Sequence, residues 1–315
     1  MKIVITGALG HIGSYVIRKF AYNFKGAEII MIDNLMTQRY SSLFNLPKEG
    51  NYHFIEADLT SVDLLPLFQD ANVVLHLAAI TDATGSYLQS EKIQNNNYLS
   101  TERVAFACIE TGAKLIIPSS TSVYGTKENI VSEDCSKTDL MPQSPYAKIK
   151  LKEEELISRL CKEKDLKAII CRLGTIFGIS PGMRFHTAVN KFCWQAVMRQ
   201  PLTVWSTALE QKRPYLDLHD ASRVFSYIIR NNMFDSHIYN IITLNTTVRE
   251  IIDMIRLYVP DINVTLVDNR AMNNLSFEVS REKFLKKGFD FRGDLQRCII
   301  ETLELISQKR LNHTL

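Results

Sequence analysis

No apolar run in the chain reaches the roughly 18 residues that a membrane-crossing helix needs. The first residues run straight into an apolar stretch and a glycine-rich turn. They lack the basic start, apolar core and small-residue cleavage site of a secretory signal. No membrane partner is therefore expected, and a cytoplasmic location is. The six cysteines (Cys108, Cys135, Cys161, Cys171, Cys193 and Cys298) contain no C-x-x-C pair. They read as buried or idle thiols, so neither disulfides nor a metal site is expected. A strong charge of one sign is also missing. The net charge of +3 over 315 residues is too small to argue for a nucleic-acid partner. No internal repeat and no low-complexity linker appears. What remains is 46% hydrophobic and 23% charged, the balance of an ordinary soluble globular protein. The length allows one large α/β domain and a smaller one.

Residues 2–6 form a short apolar run, followed by Gly7-Ala8-Leu9-Gly10-His11-Ile12-Gly13 and an amphipathic segment over about 14–24. This reads as strand, tight turn, helix. The first glycine permits the turn, the second lets backbone approach a pyrophosphate at the helix N-terminus, and the third lets helix pack on strand. The spacing is G-x-x-G-x-x-G rather than G-x-G-x-x-G. The next strand, 28–32, ends at Asp33, 20 residues after Gly13. A carboxylate there can accept both adenosine ribose hydroxyls and would repel a 2′-phosphate, which favours NAD over NADP. Arg39, nearby, weighs the other way. A third strand, 52–56, leads to Asp58, which could bind the adenine amino group. The fourth, 73–77, runs into Ala78 and Ala79, small enough for the chain to pass close to a cofactor. His76 within it reads as an interior histidine. His11, Ile12, Asn34, Leu59 and Leu77 complete the expected cofactor-binding set.

A helix over about 90–111 carries Asn97 and Thr101, and a fifth strand, 114–118, delivers Ser119 and Ser120 at its C-terminal end, where doubly wound sheets bind ligands. Alternation of this kind predicts an α/β fold, a Rossmann-like doubly wound parallel sheet with helices on both faces. After Ser119-Ser120-Thr121-Ser122-Val123-Tyr124-Gly125 come Tyr146 and Lys150, spaced i, i+4. On a helix both side chains share a face. An ammonium beside a phenol favours the phenolate and lowers a pKa normally about 10. Tyr146 thus becomes a candidate general base for an alcohol hydroxyl, with Ser120 holding that hydroxyl in line.

With these residues in hand, the chain resembles an extended short-chain dehydrogenase/reductase. Gly7, Gly10 and Gly13, Asp33, Asp58, His76-Leu77-Ala78-Ala79, Ser120 before Val123-Tyr124-Gly125, and Ser144-Pro145-Tyr146 with Lys150 are similar to the NAD-dependent nucleotide-sugar epimerase/dehydratase family. The resemblance runs in order through nearly the whole chain. It implies that Tyr146 is the base, that Lys150 also binds the nicotinamide ribose, and that Asn97 supports the cofactor side. It further implies a nucleotide-diphosphate sugar substrate, contacted by Thr81, Ser120, Thr121, Ser122, Arg184, Asn190 and Arg213. Arg213, in Arg213-Pro214-Tyr215-Leu216-Asp217, would pair with the diphosphate, a task suited to a forked guanidinium. The Ser180-Pro181-Gly182-Met183-Arg184 stretch is similar to a subgroup containing a GDP-heptose 4-dehydrogenase, but His186 stands where its members often carry Asp. By the same resemblance, residues 1–172 form the NAD-binding domain, part of 214–243 returns to it, and 173–315 mainly bind the nucleotide sugar. Loops 80–87 and the 180s are expected to set specificity, and helices near 90–111 and 146–161 to form a homodimer surface. The tail from 309 is expected to fray.

The resemblance also separates possible reactions. All share oxidation of a sugar hydroxyl to a ketone, with hydride transfer to NAD. The 4,6-dehydratase branch carries an Asp-Glu pair after the Ser/Thr position, where this chain has Thr121 and Ser122. Enzymes that epimerise beside the ketone often carry Cys at the Ser122 position, and a serine hydroxyl is a far weaker acid than a thiol near 8.5. What remains is 4-epimerisation, which is favoured, or release of the ketone by a 4-dehydrogenase, which run backwards is a 4-ketoreductase. A non-catalytic NAD-sensing regulator on the same fold is disfavoured because Ser120, Tyr146 and Lys150 are all present.

Overall fold

Alternation along the first strand sorts its side chains onto two faces. In β1 (Lys2–Thr6), Ile3 and Ile5 enter one core and Val4 the other. Every residue from Ile3 to Thr6 is buried, as in a strand covered on both sides. The same pattern recurs in β2 (Glu28–Asp33), β4 (Val73–His76), β5 (Lys114–Ser120) and β7 (Ala168–Leu173). With the edge strands β3 (Asn51–Glu56) and β11 (Ile238–Ile241), they form a seven-stranded sheet in the order β11-β7-β5-β4-β1-β2-β3. All its pairings are parallel. This computed structural model describes residues 1–81, 90–125, 129–268 and 276–308, with the backbone alone for 90–95. Residues 82–87 of the expected specificity loop and the tail from 309 lie outside the described residues.

Helices cover both faces of the sheet, as the alternation of elements predicts. On one face α1 (His11–Asn23) packs against α6 (Leu218–Arg230) through Val16, Ile17, Phe20, Val224, Phe225 and Ile228. On the other, short α2 (Leu65–Phe68) and long α3 (Ser90–Thr111) and α4 (Pro145–Lys164) bury Phe68, Val104, Cys108, Leu156 and Ile157. Strand order therefore reverses beside β1, where the connections that leave the C-terminal ends of β1 and β4 run to opposite faces and open a crevice. The chain leaves the large sheet after β7 and returns to it through α6 and β11.

Later elements build a second core. Strand β10 (Arg213–Asp217) pairs parallel with β8 (Thr175–Phe177) and antiparallel with β12 (Leu244–Thr246). Helices α5 (Ala188–Val197), α7 (Val248–Arg256) and α8 (Leu295–Ser307) pack Phe192, Ile251, Ile252, Ile255, Ile299 and Leu303 together with Phe177 and Tyr215. A capping box opens α7: Glu250 N–H donates to Thr247 Oγ1 at 3.1 Å, and Thr247 N–H to Glu250 Oε2 at 2.8 Å. Two-stranded pairs complete the fold: β9 (Leu202–Trp205) with β13 (Val264–Val267), and β6 (Ile130–Val131) with β14 (Glu278–Val279).

A buried polar knot joins three strands of the large sheet to α4. Arg172, on β7, donates from Nε to Glu154 Oε1 at 2.9 Å and from Nη2 to Oε2 at 2.6 Å. Its Nη1 donates to the Tyr124 hydroxyl at 2.8 Å, which donates in turn to Asn240 Oδ1 on β11 at 2.8 Å. Ser119, near the end of β5, donates to Glu154 Oε1 at 2.5 Å. The paired side chains are only 2% and 3% exposed. A forked pair satisfied on every side tolerates such burial, but a guanidinium left alone does not. Glu154→Gln should therefore lower stability by about 3–5 kcal/mol, read from urea unfolding of the two proteins. A loss under about 1 kcal/mol would show that the fork does not hold α4 to the sheet.

Candidate active site

The turn after β1 is shaped by contacts that exclude side chains. Gly7 has φ +64°, and a Cβ there would lie 2.6 Å from Ala78 N. A Cβ at Gly13 would lie 2.5 Å from Gly7 O. Helix α1 then begins at His11 with no side-chain cap from Gly10 and no acidic residue in its first turn. Its first N–H groups are thus presented to an anion, and the helix dipole favours negative charge there.

A cleft of about 350 Å³ opens over this turn. Gly7, Gly10, His11, Ile12, Gly13, Asp33, Asn34, Asp58, Leu59, Leu77, Ala78, Ala79 and Thr81, all expected from sequence, line it together. Arg39 joins them, as do Arg184 and His186 from the loop after β8. Asp33 accepts from Leu9 N–H at 3.1 Å and Leu35 N–H at 3.0 Å, so its carboxylate braces the glycine turn. Asp58 accepts from the Thr60 hydroxyl at 2.6 Å and backbone N–H at 2.9 Å. Those bonds, with Asn34, hold its carboxyl below the usual range. An elongated anionic dinucleotide fits these residues: the bare helix start and close glycines suit a pyrophosphate, and Asp33 suits ribose hydroxyls.

Asn97 acts one step back. Its Oδ1 accepts from Ile80 N–H at 2.8 Å and its Nδ2 donates to Ile80 O at 2.9 Å. Both ends of its amide are thus spent on the backbone beside the cleft. His76 is interior, as expected, between Thr6 Oγ1 at 2.8 Å and Thr101 Oγ1 at 3.2 Å. Burial, aided by Lys150, drives its pKa down to about 3.

The residues expected to react sit on β5, the turn after it, and α4. Ser144 caps α4 through a 3.2 Å bond from Ala147 N–H, and Pro145 occupies the first helical position. That start places Tyr146 in the first turn, and α4 packs against the 121–123 turn that follows Ser120. Ser120 Oγ accepts from Ser122 N–H at 3.2 Å and from the Ser122 hydroxyl at 2.9 Å. Its own proton is left to donate elsewhere. Lys150 Nζ lies 6.0 Å from the Tyr146 ring centroid and donates to Pro118 O at 3.2 Å.

Several expectations are corrected. The Tyr146 phenol is not lowered in the chain by itself. Burial pushes it up, more than Lys150 and Arg184 pull it down, and Glu153 adds to the rise. Thr121 turns inward and donates to Leu173 O at 3.2 Å, so its hydroxyl proton is spent on the backbone. Asn190 is wholly buried: Oδ1 accepts from Gly178 N–H at 3.4 Å and Nδ2 donates to Arg184 O at 3.0 Å. It holds the 178–184 loop instead of facing the cleft. Arg213 does not line the cleft. It stands at the start of β10, bonded to Gln211 Oε1 at 2.7 Å and 5.6 Å from the Phe277 ring centroid. Arg184, by contrast, reaches the Thr81 hydroxyl and His186.

Two features escaped the sequence reading. Gly182 N–H donates to Ser14 Oγ at 2.9 Å, and a Cβ at Gly182 would lie 2.3 Å from Leu9 O, so this loop is pressed onto the glycine turn. Glu153 is buried beside Lys150, with Nζ 2.8 Å from Oε2. An i, i+3 acid on the helix bearing the lysine was the available signal.

The chain resembles known proteins in sequence and in fold. A family model described as the NAD dependent epimerase/dehydratase family matches residues 3–241. An uncharacterized UDP-glucose epimerase of Bacillus subtilis is 30% identical, covering 73% of this chain and 72% of that protein. The Arabidopsis thaliana trifunctional UDP-glucose 4,6-dehydratase/UDP-4-keto-6-deoxy-D-glucose 3,5-epimerase/UDP-4-keto-L-rhamnose-reductase is 27% identical over 98% of this chain. The chain spans about half the length of that protein, 47%. Among solved structures, the UDP-glucuronic acid 4-epimerase of Bacillus cereus, in complex with UDP-glucuronic acid and NAD, superposes with TM-score 0.88 at 25% identity. The alignment covers 98% of this chain and 99% of that one. The Thermus thermophilus UDP-glucose 4-epimerase shares the fold, at TM-score 0.82 and 22% identity over 97% and 99% of the two chains.

His11 yields a prediction about acid. Its Nε2 bonds Gly178 O at 3.0 Å, and burial drives its pKa down to about 4, helped by Arg184 and Arg39 and opposed by the Gly178 carbonyl. An unfolded histidine protonates near 6.5, so between those values the unfolded chain binds more protons. Stability from this group is present above about 6.5 and is lost as pH falls toward 4. The stability advantage of the chain over His11→Gln, measured by urea unfolding, should shrink by about 3 kcal/mol from pH 7 to pH 4. An advantage independent of pH would mean that His11 takes up its proton in the fold as readily as in the unfolded chain.

Proposed function

The chain belongs to the NAD dependent epimerase/dehydratase family, and we propose that it is a nucleotide-sugar 4-epimerase. The reaction is oxidation of a sugar hydroxyl to a ketone and its reduction from the other face. Bound NAD supplies the acceptor and donor of hydride. Gly7, Gly10, Gly13 and the start of α1 hold its pyrophosphate, and Asp33 its adenosine ribose. Ser120 donates to the reacting sugar oxygen. Tyr146 takes the hydroxyl proton as the ketone forms and returns it as the ketone is reduced. Lys150 orients this region through its bonds to Pro118 O and Glu153.

The observation that carries this reading is the turn after Ser120. Thr121 is bonded inward to Leu173 O, and Ser122 gives its hydroxyl to Ser120. Neither can serve as the acid or base needed to eliminate water or to invert a carbon beside the ketone. The proton equipment is thus Tyr146 with Ser120, sufficient for reversible oxidation of one hydroxyl.

Residues after 173 hold the nucleotide sugar over the cleft. Leu99 and Phe106, exposed on α3, support association of two copies through α3 and α4, which sedimentation would read as a dimer. NAD and nucleotide sugars are cytoplasmic metabolites, and we place the activity there.

The test uses purified protein with its cofactor and a panel of UDP-, dTDP- and GDP-sugars. The panel includes a UDP-uronic acid, because Arg184 and His186 line the cleft. We expect C4 epimers to equilibrate, seen by proton NMR, with no net absorbance of reduced nicotinamide. Stoichiometric reduced cofactor with a ketone product would make the chain a dehydrogenase, and loss of water from the sugar a dehydratase. Tyr146→Phe should cut turnover by about 10²–10⁴-fold and leave NAD binding intact, measured by calorimetry. No turnover on any sugar would favour a regulatory binder of NAD.

A further inference from the structure

Behind the proposed base lies a carboxylate that the reaction scheme does not use. Glu153 is 2% exposed, and its Oε2 accepts from Lys150 Nζ at 2.8 Å. Its Oε1 makes no fully formed hydrogen bond among the described residues. The Thr101 side chain, on α3, lies against this carboxylate and favours its charged form. Thr101 also meets His76, which continues to Thr6. A buried acid with one unfinished oxygen is costly unless a cation stands beside it. Lys150 is that cation.

We propose that Glu153 is a positioning residue that clamps the Lys150 ammonium and weakens its pull on Tyr146, which helps the buried phenol stay neutral in the cofactor-free chain. The inference rests on the reading of Tyr146 as the base. Burial raises the phenol first, and the charged and polar groups around Tyr146 and Lys150 among the described residues then set how far. From α4 come Lys150, Glu153 and Glu154, and Glu154 is already paired to Arg172 of β7. From β5 come the Pro118 carbonyl, bonded to Lys150, and Ser119, which donates to Glu154. From α3 comes uncharged Thr101, from β4 neutral His76, and from the 180s loop Arg184. Among the described residues Arg184 is the remaining positive group acting on the phenol, and it is engaged with Thr81 and His186. Burial alone would push Lys150 down, but Glu153 chiefly lifts it. The same carboxylate raises the Tyr146 phenol. An ion pair at 2.8 Å acts on a third group as a dipole, weaker than a bare ammonium. A pocket so balanced needs further positive charge before the phenol gives up its proton, and the ring of an oxidised nicotinamide carries such a charge.

The test reads ionisation of Tyr146 and not turnover, so its failure is distinct from failure of the epimerase reading. Phenolate absorbance of the cofactor-free chain is titrated with pH, and the curve of Tyr146→Phe is subtracted. In the wild-type chain the midpoint should lie above the ordinary value of about 10. In Glu153→Gln, which keeps the shape and removes the charge, it should fall by about one unit or more. Glu153→Asp keeps the charge and should move it less. A Glu153→Gln midpoint equal to wild type would overturn the proposal. So would a wild-type midpoint already well below 10, a measurement that stands even if the Gln variant does not fold.

Discussion

Two carboxylates adjacent on one helix, Glu153 and Glu154, are both buried, and much of the structure answers to that fact. Neighbours on a helix point about 100° apart, so the two acids face different partners. Glu154 turns to the sheet and is met by Arg172 from β7 and Ser119 from β5. Glu153 turns to α3 and is met by Lys150 one turn back. Removing two charges from water costs several kcal/mol each, and the cost is offset only if each cation arrives with good geometry. That requirement positions α4 on the sheet to within hydrogen-bond tolerance. Tyr146, near its N-terminus, and the Ser120 turn packed against it inherit that placement.

A second constraint joins the early and late parts of the chain. The glycine turn is tight on both sides: a Cβ at Gly13 meets Gly7 O, and one at Gly182 meets Leu9 O. His11 to Gly178 O and Gly182 N to Ser14 Oγ tie the 178–184 loop to the start of α1. Asn190 secures that loop from within. Arg184 and His186 therefore stand over the glycine turn and line the cleft.

The parts of this arrangement legible in the sequence are those written in local patterns. The strand–glycine–helix unit, Asp33 and the Ser144-Pro145-Tyr146 helix start depend on neighbours within a few residues, and the structure places them as expected. The strand at 114–118 extends to Ser120, which carries the serines into the sheet edge. Side-chain direction was less legible. Thr121 looked like a substrate contact but turns to Leu173 O, because the residue after a strand end can satisfy a carbonyl of the neighbouring strand. Asn190 and Asn97 spend their amides on backbone for the same reason: a buried loop carbonyl or N–H must be paired. The balance at Tyr146 was less legible still: Lys150 pulls the phenol down as expected, but burial outweighs it, and Glu153, three residues on, reads from sequence as an ordinary helix-surface glutamate. Only burial reveals otherwise.

That counter-charge also bears on which reaction the site can sustain. Behind Tyr146 the polar groups run from Glu153 through Thr101 and His76 to Thr6, and all are at most 3% exposed. On that side no exposed titratable group leads a proton to water among the described residues. A dehydrogenase that releases its ketone must hand one proton to solvent in every cycle, a proton that would leave by way of the cleft. An epimerase takes the hydroxyl proton and gives it back, so the charge of the site is the same before and after. A phenolate present once the cofactor is bound would borrow the hydroxyl proton and return it, so the proposed epimerase needs no proton path across this enclosed side.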